Sequence, residues 1–285
     1  MPVTLPATDV RVLRSTINGR EYHIAVALPM GYQSTPGTDT TRYPVLYLLD
    51  GGAHLPLFAS MFRLTNRSNR TGDVILVGIG YYPPGAFPRP VPGQVPARNV
   101  DYAPPPFEPS GAARRDTAAT PWPAGAPAFH RVLKEEIIPL IERTYRTTQE
   151  RALHGHSLGG LFATYVLFED PDLFSRYAIM SPAYGWDGAS MYAREAAFRA
   201  GRTSLRKQVF LGVGGLEGPG QIGGMWRMVS ALCHGITAGN YQGLTLAAEV
   251  VPEEHHGSAA LFGRVLKALY PPYAPTTTRD VCVAR

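Results

Sequence analysis

Cysteine is scarce: the 285 residues include only Cys233 and Cys282, which neither stand at metal-ligand spacing nor supply the several pairs of a disulfide-stapled scaffold. They read as one buried thiol and one thiol near the tail, a free cysteine packing as a small apolar residue. Charge is sparse too, at 17% of residues against 45% hydrophobic. That balance excludes wholesale disorder and lets a chain of this length bury a sizeable core. No run approaches the roughly 18 uninterrupted apolar residues of a transmembrane helix, so no membrane partner is expected. Residues 1–6 lack the basic and apolar regions of a secretory leader, and the chain as written reads as cytoplasmic. The net charge of +5 comes from scattered Lys and Arg. With no basic stripe interleaved with aromatics, no nucleic-acid partner is expected either. No repeat and no linker divides the chain, so residues 1–285 read as a single domain.

What is present is an alternation of strands and helices. Runs 8–17 and 20–29 flank Asn18-Gly19, the pair suited to the positive φ values of a type I′ hairpin turn. Short apolar runs follow at 43–49, 74–79, 152–154, 177–180, 209–213 and 244–251, as expected of strands covered on both faces. Between them lie helical patterns. One spans 129–143, with Pro139 expected to kink it, and another spans 158–167. At 259–269, Leu261, Phe262, Val265, Leu266 and Leu269 share a face. The fold class is therefore α/β: a mostly parallel central sheet with an antiparallel N-terminal hairpin and helices on both faces. Residues 82–125 interrupt the pattern. Rich in Pro, Gly and Ala, they read as a lid or substrate loop.

Gly155-His156-Ser157-Leu158-Gly159 matches G-x-S-x-G, a motif that chance supplies on the order of 0.1 times in such a chain. Its position directly after an apolar strand and before a helix is that of a nucleophile elbow, and Ser157 is the candidate nucleophile. Taken alone, a serine there could simply cap the helix. A serine hydroxyl needs a base, and the base needs an orienting group. The base is sought in the loop after the last strand, Glu253-Glu254-His255-His256-Gly257-Ser258, which leaves His256 and, as alternate, His255. Adjacent histidines without a further carboxylate at ligand spacing make a weak metal site, and no metal is expected. Glu217 is the first carboxylate after the run 209–213 and the candidate acid, with Asp187 the alternate. The backbone N–H groups of Leu158 and Gly52, the latter in the loop Asp50-Gly51-Gly52-Ala53, are candidates to hold an oxyanion. His154 lies in the strand and should be buried. His156 either packs under the elbow or joins Tyr184 and Trp186 in lining the substrate site.

Together these segments resemble the putative-esterase family of α/β hydrolases, which includes siderophore esterases, S-formylglutathione hydrolases, feruloyl esterases and mycolyltransferases. The likeness runs from about residue 10 to 270 and rests on several stretches. They are Tyr43-Pro44-Val45-Leu46-Tyr47-Leu48-Leu49-Asp50-Gly51, Val74-Ile75-Leu76-Val77-Gly78-Ile79-Gly80, Arg98-Asn99-Val100-Asp101-Tyr102, Gly155 to Gly160, Pro171-Asp172-Leu173-Phe174-Ser175, Ser181-Pro182 and Glu254-His255-His256-Gly257-Ser258. The ferric-enterobactin-type branch is the most similar. The resemblance implies an α/β-hydrolase fold, a small-molecule ester substrate such as a siderophore trilactone, and no cofactor. It also favours His256 over His255, puts Arg98 near the serine as a substrate contact, and has Asp101 anchor its loop. The Pro-rich segment matches nothing in the family, which leaves the acyl group open. An acyltransferase using the same residues and a small-ester carboxylesterase are the alternatives, and a non-catalytic binding module is the one from outside enzymes.

Overall fold

The computed structural model describes residues 5–32, 40–67, 72–83, 95–105, 123–186, 190–218, 224–257 and 259–270. One sheet organises them. Its strands are β1 (Thr8–Arg14), β2 (Glu21–Ala27), β3 (Tyr43–Leu49), β4 (Ile75–Gly80), β5 (Thr147–His156), β6 (Arg176–Met180), β7 (Gln208–Gly214) and β8 (Thr245–Val251). They lie in the order β1-β2-β4-β3-β5-β6-β7-β8. β1 pairs antiparallel with β2, and β2 antiparallel with β4. Every later pair is parallel. Parallel pairing puts the ends of β3, β5, β6, β7 and β8 on one edge of the sheet, where α/β folds place their sites.

The helices are α1 (Gly51–Arg67), α2 (Ala97–Asp101), α3 (starting as Ala126–Arg131), α4 (Leu158–Glu169), α5 (Ser190–Gly201), α6 (Met225–Ala238) and α7 (Ala259–Leu269). Side chains alternate across β3: Val45, Tyr47 and Leu49 join the core beneath α3, α4, α5 and α6, while Leu46 and Leu48 join the core beneath α1 and α7. That is the two-faced burial expected of continuous apolar runs. α4 is buried from Leu158 to Phe168, being enclosed on every side.

Local details depart from the sequence reading. The hairpin turn is not a two-residue type I′ turn: the ladder closes at Ser15 N–H to Arg20 O (2.8 Å), Gly19 N–H bonds Ser15 O (3.1 Å), and of the Asn18-Gly19 pair only Gly19 has positive φ. The Ser15 hydroxyl accepts from the Ile17 and Asn18 amides and holds this longer loop. α3 runs through a π-helical turn, Val132–Ile137, into Ile138–Thr144. The widened turn stands directly before Pro139, where the missing N–H and the ring would disrupt a regular ladder. β8 is an edge strand, half exposed, with Val250 at 42%. Cys233 is not a free thiol but disulfide-bonded; Cys282 lies outside the described residues, as does most of the Pro-rich segment. Among the described residues no helix is long and apolar enough to cross a membrane.

Candidate active site

β5 and α4 meet at Ser157, whose φ of 60° and ψ of −120° hold a non-glycine residue in a strained bend. The bend is pinned by Ser157 N–H to Met180 O and by Ser157 O, which accepts from the Leu161 and Ala183 amides, all at 3.0 Å. Gly155 permits it: a Cβ there would lie 2.0 Å from Gly159 O. Gly159 is less constrained, its added Cβ meeting Leu49 and Asp50 at 3.4 to 3.5 Å. The serine is thus presented, partly exposed, at the first turn of a helix. The first-turn amides of a helix have no partner within it and face the positive end of its dipole. The Leu158 amide is one of these. Gly52 supplies a second, because the segment expected to be a loop is the first turn of α1: Asp50 O accepts from Ala53 N–H (3.0 Å) and His54 N–H (3.1 Å). Gly51, rather than Gly52, is the glycine the packing demands, since a Cβ on Gly51 would lie 2.2 Å from the Gly78 backbone.

The loops after β7 and β8 are stitched together by Gly215 N–H to Val251 O (2.8 Å) and Leu216 N–H to Glu254 O (3.0 Å). This brings Glu217 to His256, with Nδ1 to Oε2 at 2.7 Å. The other carboxylate oxygen accepts from the Ser181 hydroxyl (2.6 Å) and the Gly214 amide (2.8 Å). Burial alone would push the Glu217 carboxyl up, but the hydrogen bonds from His256, Ser181 and Gly214 outweigh it and hold it below its ordinary value. An ionised carboxylate only accepts, so His256 Nδ1 carries the proton and Nε2 is left as a base. The His256 ring packs 4.5 Å from that of His156, the neighbour of Ser157 in the chain. No hydrogen bond joins the Ser157 hydroxyl to His256 among the described residues.

Ser181, with a positive φ of 42° and no exposure, is the positioning residue that the sequence reading gave no role. Its only signal was the Ser181-Pro182 pair. His255 is exposed, and Asp187 lies outside the described residues. Arg98 does not present a free guanidinium: it forms a two-point pair with Asp50. Asp101 accepts from Arg20 (2.9 Å) and Tyr22 (2.7 Å), tying α2 to the hairpin. Tyr184 and His156 are not exposed to a substrate. Tyr184 is fully buried with its hydroxyl 2.9 Å from Thr164, and His156 is packed under the elbow. Trp186 is half-buried against the core.

Behind His256, the rings of His156, His54 and His154 continue inward between α1 and α7, at centroid spacings of 6.0 Å (His156 to His54) and 5.4 Å (His54 to His154). Burial and the neighbouring imidazoles push His154 well below its ordinary value, and burial pushes His156 down to about 3. Both are neutral in the fold, whereas in the unfolded chain each takes up a proton below about pH 6.5. The unfolded state therefore binds more protons as pH falls below that point. Stability should drop by about 1.4 kcal/mol per pH unit for each such histidine. His154→Leu, which removes two ring nitrogens that lack partners, should make urea midpoints measured from pH 7 to 5 less acid-sensitive. An unchanged slope would show that His154 is charged in the fold.

The sheet order, the strained serine at the β5–α4 bend and the loops converging on it define an α/β-hydrolase fold. A family profile described as "Putative esterase" matches residues 15–220, and the chain belongs to that family. The ferri-bacillibactin esterase BesA of Bacillus subtilis is 35% identical over 188 residues, covering 65% of this chain and 61% of that protein. The siderophore triacetylfusarinine C esterase of Aspergillus fumigatus is 28% identical over 204 residues, covering 69% and 63%. The matched stretch thus spans less than two thirds of either relative. Among solved structures, the BES protein from Bacillus cereus superposes with a TM-score of 0.77 at 26% identity, over 95% of this chain and 97% of that one.

Proposed function

We propose that this chain is a serine carboxylic-ester hydrolase that works through an acyl-enzyme on Ser157. The observation that carries the reading is the 2.7 Å contact between Glu217 and His256, with the His256 ring 4.5 Å from that of His156, the chain neighbour of a serine held in a strained bend. His256 Nε2 takes the Ser157 proton as the hydroxyl attacks the ester carbonyl. The Leu158 and Gly52 amides stabilise the developing oxyanion, each by roughly 3 kcal/mol. The imidazolium then protonates the leaving alcohol, and water, activated by the same imidazole, releases the acid. Glu217 fixes the tautomer and offsets the imidazolium charge without itself taking the proton.

The substrate class we propose is a siderophore ester, supported by the names of the two sequence relatives. The test is a panel of short-acyl, long-acyl and aryl esters set against catecholate trilactones, with and without iron. The expected result is a kcat/KM for a trilactone at least about tenfold above every simple ester, a margin that a few additional pocket contacts can supply. A preference for small activated esters would overturn the siderophore assignment and leave the esterase chemistry standing.

A further inference from the structure

Asp50 is an awkward residue to find where it is. It stands directly before the first turn of α1, takes a positive φ of 56°, and leaves only 15% of its side chain exposed. A methyl group placed on Gly159, in the first turn of α4, would lie 3.5 Å from Asp50 Oδ2. The carboxylate thus lies against the first turns of both helices, whose amides are the candidate oxyanion donors. Negative charge is favoured at helix N-termini, so an unneutralised Asp50 would occupy the favourable potential that a second anion needs and repel that anion.

Arg98 removes the conflict. Its Nε and Nη2 reach Oδ1 and Oδ2 at 2.5 and 2.8 Å, the planar two-point geometry that arginine alone provides. The guanidinium lies 5.1 Å over the ring of Tyr102, whose fully buried hydroxyl accepts the Asp50 amide at 3.2 Å. The other titratable groups facing the carboxylate are His54, His156, Tyr81 and Tyr102, all held neutral by burial. Arg98 is therefore the charge that balances Asp50.

Resting on the esterase reading, we infer that Arg98 is a positioning residue rather than a substrate contact: it neutralises Asp50 and holds the strained Asp50-Gly51-Gly52 backbone so that both amides face the oxyanion. The contrary reading, a guanidinium that grips an anionic substrate, requires a cation whose charge is unspent, and this one is already paired through its Nε–Nη2 edge with the Asp50 carboxylate.

The test uses the full chain and p-nitrophenyl acetate, a neutral ester that offers a guanidinium nothing anionic to bind. Arg98→Gln should lower kcat by about 100-fold with KM within about threefold, the size of losing one oxyanion donor. The double variant Asp50→Asn with Arg98→Gln removes the stranded charge and should recover kcat to within about tenfold of wild type. The double variant decides the question even if Arg98→Gln alone does not fold. A double variant still 100-fold impaired, or an Arg98→Gln whose loss lies wholly in KM, would overturn the inference. Failure of the esterase reading is separable, because it shows in the wild type as turnover that does not depend on Ser157.

Discussion

Replacing Ser157 by Ala should lower kcat/KM for a p-nitrophenyl ester by about 10⁴-fold or more, the scale of losing the nucleophile in serine hydrolases. The loss should come without a loss of fold. Ala is one oxygen smaller, and the pinning contacts at this position are all backbone: the amide to Met180 and the carbonyl to Leu161 and Ala183. The φ of 60° is as costly for Ala as for Ser, so the urea midpoint should barely move. A fluorophosphonate should label the wild type at Ser157 and leave the variant unlabelled. Retained turnover in a well-folded Ser157→Ala protein would exclude the acyl-enzyme, whereas a wild type that neither turns over the ester nor takes the label would favour a binding module.

Glu217→Gln carries the next largest expected effect. The replacement has one carbonyl oxygen and one amide NH2. Ser181 and the Gly214 amide both donate to Oε1, so the carbonyl oxygen settles there and turns the NH2 toward His256. An NH2 facing Nδ1 forces that nitrogen to accept, which moves the ring proton to Nε2, the atom that must receive the serine proton. A tautomer reversed in this way costs about 10⁴-fold in kcat, with KM little changed. A Glu217→Gln protein with near-wild-type kcat would transfer the role to Asp187. The carboxylate also has a pH signature. Its folded value lies below the ordinary one, so its contribution to stability is complete above about pH 4.5 and is lost as pH falls through the folded value. The histidine effect of His154 and His156 begins about two pH units higher, so between about pH 6.5 and 4.5 it is seen alone, and the Glu217 loss adds to it below that.

How much of this could be read from the chain differs from element to element. The strand at 43–49 was legible in full because a run apolar on both faces has few other ways to be buried, and the helix at 259–269 was legible because its apolar face repeats at helical spacing. The extra length of β5, which begins at Thr147, was not, since Thr147 to Arg151 include polar residues tolerated where the strand leaves the core. The hairpin turn was misread because Asn18-Gly19 signals positive φ at both residues, and the Ser15 hydroxyl offered the loop amides another partner.

Within the candidate site, the bend at Ser157 follows from the chain itself: glycine at 155 is the residue that lets the backbone approach so closely, and that constraint is local. The choices between His255 and His256, and between Asp187 and Glu217, were open in one dimension. Tertiary structure brings His256 to a carboxylate 39 residues away and Arg98 to one 48 residues away. Local spacing encodes bends and faces because backbone sterics act over a few residues. Partners across the sheet edge are set by which strands lie side by side, a property of the whole fold that no segment carries by itself.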